Sequence, residues 1–106
     1  MAVKTMYKDI TAYEIRVSNP SVTITEAKAT NVNGYIKGEI INNGSETISG
    51  GYLCFVLFNE NFESVGNEYI EIGTLNPHET KTFEVKFKRD NVDRFIVGLA
   101  DTNSQN

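Results

Sequence analysis

Apolar and polar residues alternate with a period of two along most of this chain. Tyr13, Ile15 and Val17 are separated by Glu14 and Arg16, and the run stops at Asn19-Pro20. Such alternation puts successive side chains on opposite faces of a strand, one to bury and one to leave in water. An extended segment from Val22 to Val32 follows. Its apolar positions change parity between Val22/Ile24 and Ala27/Ala29, which predicts a bulge near Glu26. Asn33-Gly34 tolerates the positive φ angles of a two-residue hairpin turn, so the chain is expected to reverse there. Ile36, Gly38 and Ile40 then face one way, with Lys37 and Glu39 opposite, as far as the turn Asn42-Asn43-Gly44-Ser45.

Thr47 to Asn59 is the longest and most apolar strand candidate, and Asn59-Glu60-Asn61-Phe62-Glu63 is a connecting loop. Val65 to Leu75 follows, with Ile70 and Ile72 inward, and Asn76-Pro77-His78-Glu79 turns the chain. Phe83, Val85 and Phe87 alternate with Glu84, Lys86 and Lys88, and Phe95, Val97 and Leu99 form the inner face of the last strand. No twelve-residue window carries a helical period. Seven short strands, each about ten residues from the next, predict an all-β fold, a seven-stranded antiparallel immunoglobulin-like β-sandwich; a small antiparallel barrel is the alternative. Parity predicts a core of Ile36, Ile40, Leu53, Phe55, Leu57, Ile70, Ile72, Phe83, Val85, Phe87, Phe95, Val97 and Leu99. Residues 1–12 lack periodicity and are assigned to a flexible segment, 13–101 to the single domain, and 102–106 to a disordered tail.

Composition agrees with the pattern. Nine Val, ten Ile and ten Thr stand against nine Ala plus Leu, an inversion of helix-former preference. At 106 residues the chain has room for one domain. The net charge of −4 argues against a nucleic-acid partner. No apolar run approaches the roughly 20 residues of a membrane-spanning helix, so no direct membrane insertion is expected.

Ile36-Lys37-Gly38-Glu39-Ile40-Ile41-Asn42 supplies alternating aliphatics, a glycine and a terminal asparagine. Phe55-Val56-Leu57-Phe58-Asn59, then Val65-Gly66, then Leu75-Asn76-Pro77-His78-Glu79-Thr80 with Phe83, follow in order. Together, from residue 36 to 99, they make the chain resemble the FxLYD domain family of bacterial and archaeal proteins. Gly38, Asn42, Phe55, Leu57, Phe58 and Asn59 are the matching positions, with Phe58 in place of the usual tyrosine and Asn59 in place of the usual aspartate. The resemblance implies an immunoglobulin-like sandwich and a non-catalytic, extracytoplasmic role, often as one module of a longer protein. Gly38 lies inside a strand, so a large ring is expected to pack over it, from Phe55, Phe83 or Phe95. Asn42 and Asn59, at strand ends, can hydrogen-bond loop backbone groups otherwise left unpaired.

Candidate chemistry is sparse. His78 is the sole histidine and lies in a turn with nothing to mark a nucleophile, so no catalytic residue is assigned. One Cys and one His cannot close a tetrahedral zinc site without carboxylates. Asn59, Asn61 and Glu63 alternate as calcium ligands begin to, but read as an exposed loop, and no metal or cofactor is assigned. Cys54 reads as a small hydrophobe. Lys86, Lys88, Arg89 and Arg94 read as solvated charge. Tyr13, Tyr35, Tyr52 and Tyr69 are candidates for sugar stacking, which makes a carbohydrate-binding module the alternative to a module for protein interaction, adhesion or spacing. The main functional signal is a strand apolar on both sides. With Leu53, Phe55 and Leu57 inward, Tyr52, Cys54, Val56 and Phe58 point outward, joined by Ile96 from the last strand. That face is expected to dock a protein partner, a neighbouring domain or another copy, unless a loop or the first residues cover it.

Overall fold

The computed structural model describes residues 6–101, and every regular element in them is a strand. Strands β1 (Lys8–Asp9), β3 (Ser21–Ala29), β4 (Gly34–Ile41) and β9 (Thr80–Phe87) make the first sheet, in that order. Strands β2 (Thr11–Ile15), β10 (Arg94–Ala100), β6 (Tyr52–Phe58) and β7 (Ser64–Glu71) make the second. A short ribbon pairs β5 (Ile48–Ser49) with β8 (Thr74–Leu75). All pairings are antiparallel except β2 with β10. The chain therefore enters along the first sheet, passes inward at Ile10 and continues along the second.

Alternation produces the layering. Ala27, Ala29, Ile36, Ile40, Val85 and Phe87 from the first sheet meet Leu53, Phe55, Leu57, Phe95 and Val97 from the second in one core. The Phe55 ring sits 5.7 Å from Phe83 across the layers and 6.3 Å from Phe95 on its own sheet. Fully burying a side chain of this size contributes about 1.5–3 kcal/mol. The parity change on β3 is a register shift between Ile24 and Glu26, at the place the sequence predicts. The ring over Gly38 belongs to Phe83: a Cβ there would fall 2.7 Å from Phe83 Cζ and 2.3 Å from the Thr23 carbonyl oxygen.

Several expectations are corrected. Asn33-Gly34 is not a two-residue turn. The turn is closed by Thr30, whose N–H donates to Asn33 O (2.8 Å) and whose hydroxyl oxygen accepts from Val32 and Asn33 N–H (3.2 Å each). Gly34 lies in β4, and the space of its absent Cβ is taken by the Phe87 ring, 2.5 Å away. Thr47 to Asn59 is broken by Gly50 and Gly51 at φ 83° and 88°, which separates β5 from β6. Val65 to Leu75 likewise breaks at Gly73, φ 68°. Leu99 is 52% exposed rather than buried. Parity assigned its side correctly, since it pairs with Leu53, but β2 ends beside Val97 and, among the described residues, no strand flanks Leu99 on that side. Ile70 and Phe83 pack against the core half-buried. Residues 8–12, assigned to a flexible segment, lie in β1 and β2 with Ile10 buried between. Backbone pairing needs no side-chain alternation, so periodicity could not reveal it. Residues 1–5 and the tail 102–106 lie outside the described residues.

Candidate interaction face

The outer surface of the second sheet is built by register. Ile96 pairs with Val56, Gly98 with Cys54, Ala100 with Tyr52 and Arg94 with Phe58, so these side chains share one side. On the other flank of β6, Tyr69 pairs with Cys54 and Asn67 with Val56. Tyr52, Cys54, Val56, Phe58 and Ile96 are all half-buried: each is flanked by its sheet neighbours and none is sealed off within the chain. At one end Tyr52 and Tyr69 meet edge to face at 6.5 Å. Burial first, then a hydrogen bond with the Cys54 thiol, holds the Tyr69 hydroxyl above its ordinary pKa.

The other end is an aromatic corner. Phe62, from the β6–β7 loop, lies 6.1 Å from Phe58 and 4.9 Å from Tyr13, with the Arg94 guanidinium 4.1 Å above its ring. The loop therefore covers Phe58 in part and replaces its apolar surface with the exposed rings of Phe62 and Tyr13. Phe62 has φ 61°, unfavourable for a bulky residue by about 1–2 kcal/mol. Asn59 holds it there. Its Oδ1 accepts from the N–H groups of Asn61 (2.9 Å) and Glu63 (3.0 Å), and its carbonyl accepts from Phe62 N–H (3.0 Å). The Asn59 side chain is thereby fully engaged: its oxygen serves two backbone donors, while its Nδ2 donates to Glu63 Oε1 (3.0 Å). Among the described residues no three His, Cys, Asp or Glu side chains are grouped to hold a metal ion. Arg94 is steadied by Asp93 (Nε to Oδ2, 3.0 Å), and this bond, helped by Lys8, draws the Asp93 carboxyl below its ordinary pKa despite partial burial.

The remaining motif positions are structural. Phe55 and Leu57 are core. Asn42, fully buried, donates to Glu46 O (2.8 Å) and Leu75 O (2.9 Å) and accepts from Gly44 N–H (2.9 Å). Its backbone N–H donates to Glu79 O, and its carbonyl accepts from His78 N–H. Asn42 thus ties two loops and β8 to the end of β4. His78 is an exposed turn residue at φ 65°.

A separate cleft of about 490 Å³ opens beside the Asn33-Gly34 end of β4, lined by Tyr7, Tyr35, Glu68, Lys86 and Lys88. Tyr7 and Tyr35 meet edge to face at 5.7 Å, and the Tyr35 hydroxyl donates to the Glu26 carboxylate, which pushes its pKa up to about 12. Glu68 is paired with Arg89 (3.1 Å). No family model, curated protein or solved structure matches this chain.

Sequence reasoning brought Tyr52, Cys54, Val56, Phe58 and Ile96 onto one face. It missed Phe62 and Tyr13 as that face's corner. The available signal was an apolar ring between Asn61 and Glu63, in a loop with no core to fill.

Proposed function

We propose that this chain is a non-catalytic sandwich module, of the immunoglobulin-like type suggested by its FxLYD-like residues, that docks a protein surface through the outer face of its second sheet. The supporting observation is the contrast between outer faces. The first sheet presents Lys37, Glu39, Glu84 and Lys86 to water, whereas the second presents Val56, Ile96, Phe58 and Tyr52. Four strands spaced ~4.8 Å apart and ~20 Å long give a face of roughly 400 Å². Free partners in a stable complex bury about 800 Å² each, so a face this size suits a tethered neighbour, where linkage supplies effective concentration. A neighbouring domain of a longer, extracytoplasmic parent protein is therefore the favoured partner. Chemical-shift mapping with that domain should perturb Val56, Ile96 and Tyr52, and Val56→Lys should abolish the perturbation while the fold persists. Changes confined to the Lys37–Glu84 side would overturn the reading.

A carbohydrate-binding module is the second reading, and the Tyr7–Tyr35 cleft is what favours it. A glycan hit lost in Tyr7→Ala but kept in Val56→Lys would move the function from the face to the cleft.

A further inference from the structure

The two edges of β10 are held differently. Against β6 it makes seven antiparallel pairs, from Arg94↔Phe58 to Ala100↔Tyr52. Against β2 it makes four parallel ones, Arg94↔Thr11, Phe95↔Ala12, Ile96↔Glu14 and Val97↔Ile15, interrupted by a shift between Phe95 and Ile96. Parallel pairing is slightly less stable per residue, and this one joins opposite ends of the described chain.

Side chains of β2 add little. Thr11, Tyr13, Glu14 and Ile15 are exposed and Ala12 is half-buried; Ile10, just before the strand, is the buried anchor. The remaining attachment is through backbone, surface charge and two ring contacts at the surface, Tyr13 with Phe62 (4.9 Å) and Tyr7 with Tyr35 (5.7 Å). Ile10 N–H donates to Ala27 O (3.0 Å), Thr11 N–H to Asp93 O (3.2 Å) and Arg16 N–H to Val97 O (2.8 Å). Lys8–Asp93 and Lys28–Asp9 are ion pairs of 3.5 Å in which each partner keeps some contact with water. Among the described residues no strand lies beside this edge of β10 past Val97, and Leu99 and Ile15 stay exposed there.

The body of the sandwich is complete without this arm. Apart from Ile10, every buried apolar core residue lies between Ala27 and Val97. The chain is next fixed at Asn19, whose Oδ1 accepts from Asn43 N–H (2.7 Å), and at fully buried Pro20. Residues 16–20 connect an arm held mainly by backbone bonds to a body held by its core.

We infer that residues 6–17 are an exchangeable arm, and that two copies of this chain trade arms, each β2 lying along the β10 of the other. Main-chain bonds and the Ile10 anchor are the same whichever copy supplies the arm, so the edge of β10 is already complementary to it. Reciprocal exchange is two-fold and closed: it occupies both arms and the β2-binding edges of both β10 strands, so no third copy is recruited through them. Concentration and the reach of the connection then decide between the closed monomer and the exchanged dimer.

Two differently tagged versions test this in a Cys54→Ser background, one carrying Glu14→Cys and the other Ile96→Cys. These positions are register partners, and adjacent strands ~4.8 Å apart fall within the ~4.4–6.8 Å Cα span of a disulfide. Mixed at about 1 mM under mild oxidation, they should give a cross-chain disulfide in about tenfold excess over a control pairing Glu14→Cys with Glu71→Cys, on β7. A yield no higher than the control overturns the inference. An independent measurement is deletion of Val17 and Ser18, which shortens the connection. This variant should be a dimer by light scattering, and excess free peptide of residues 6–17 should dissociate it; a folded monomer overturns the inference. Should the deletion prevent folding, the cross-chain disulfide decides.

Discussion

The two four-stranded sheets bury the same kind of face and show water opposite ones. On the first, the register sets Lys37 beside Glu84 and Tyr35 beside Lys86, so its outer surface is an alternation of charge. On the second, it sets Val56 beside Ile96 and Cys54 beside Gly98, with charge at Arg94 and on the edge strands, Glu14 beside Ile96 and Glu71 beside Tyr52. Both inner faces contribute to one core, so stability does not require this difference. A sheet whose outer face has only water to meet can carry lysine and glutamate at no cost to packing. The apolar outer residues of the second sheet are the feature on which the proposed docking role rests.

The largest expected effect tests what the sheets share. Phe55→Ala removes the ring that bridges the layers and should lower stability by about 3–5 kcal/mol in urea melts. A loss under about 1 kcal/mol would mean the sheets are not joined through Phe55. Next is the end of the first sheet. Asn42→Ala leaves the Leu75 and Glu46 carbonyls and the Gly44 N–H without their partner and should cost about 2–3 kcal/mol. Hydrogen exchange should quicken at Gly44 and around β8, while the centre of β6 stays protected.

Exchanging the outer faces should move association more than stability. Val56→Lys and Lys86→Val should each stay within about 0.5 kcal/mol of the parent. Sedimentation should show the first variant losing any self- or partner association and the second tending to gain it. If Lys86→Val has no such tendency and Val56→Lys loses none, the contrast between faces carries no function.

The smallest effects are on pH dependence, and they divide between the sheets. Asp93, at the margin of the second, has a lowered pKa through Arg94 and Lys8. Its contribution is present above the ordinary carboxylate range and is lost as pH falls through the lowered value. Tyr35, on the first, is raised from 10.0 to about 12 by its bond to Glu26. Its contribution is present below pH 10.0 and is lost as pH rises toward about 12. Asp93→Asn should flatten the acid limb of the stability curve and Tyr35→Phe the alkaline limb, as measured by urea midpoints across pH.

Strand identity was legible wherever one face of a strand is buried, because burial imposes the period of two that the sequence displays. Phe83 to Lys88 shows it plainly, as do the parity change on β3 and the outward set from Tyr52 to Phe58. The glycines were misread for a consistent reason. Gly34 looks like a turn residue until the Phe87 ring is seen in the space its side chain would fill, and Gly50-Gly51 looks like strand until its φ values are known. Local residue types do not say whether a glycine serves a bend or a close approach.

By itself the sequence determined the all-β class, the inward and outward side of most strands, and an apolar outer face with no local explanation. These follow from nearest-neighbour chemistry and a two-residue repeat. Tertiary structure alone decided that Leu99 is exposed, because that depends on where β2 stops. It alone placed Phe62 over Arg94 and Tyr13, and paired residues 11–15 with the last strand. Each of these joins segments far apart in the chain through backbone bonds or ring contacts. Neither leaves a periodic trace in the residues that make it.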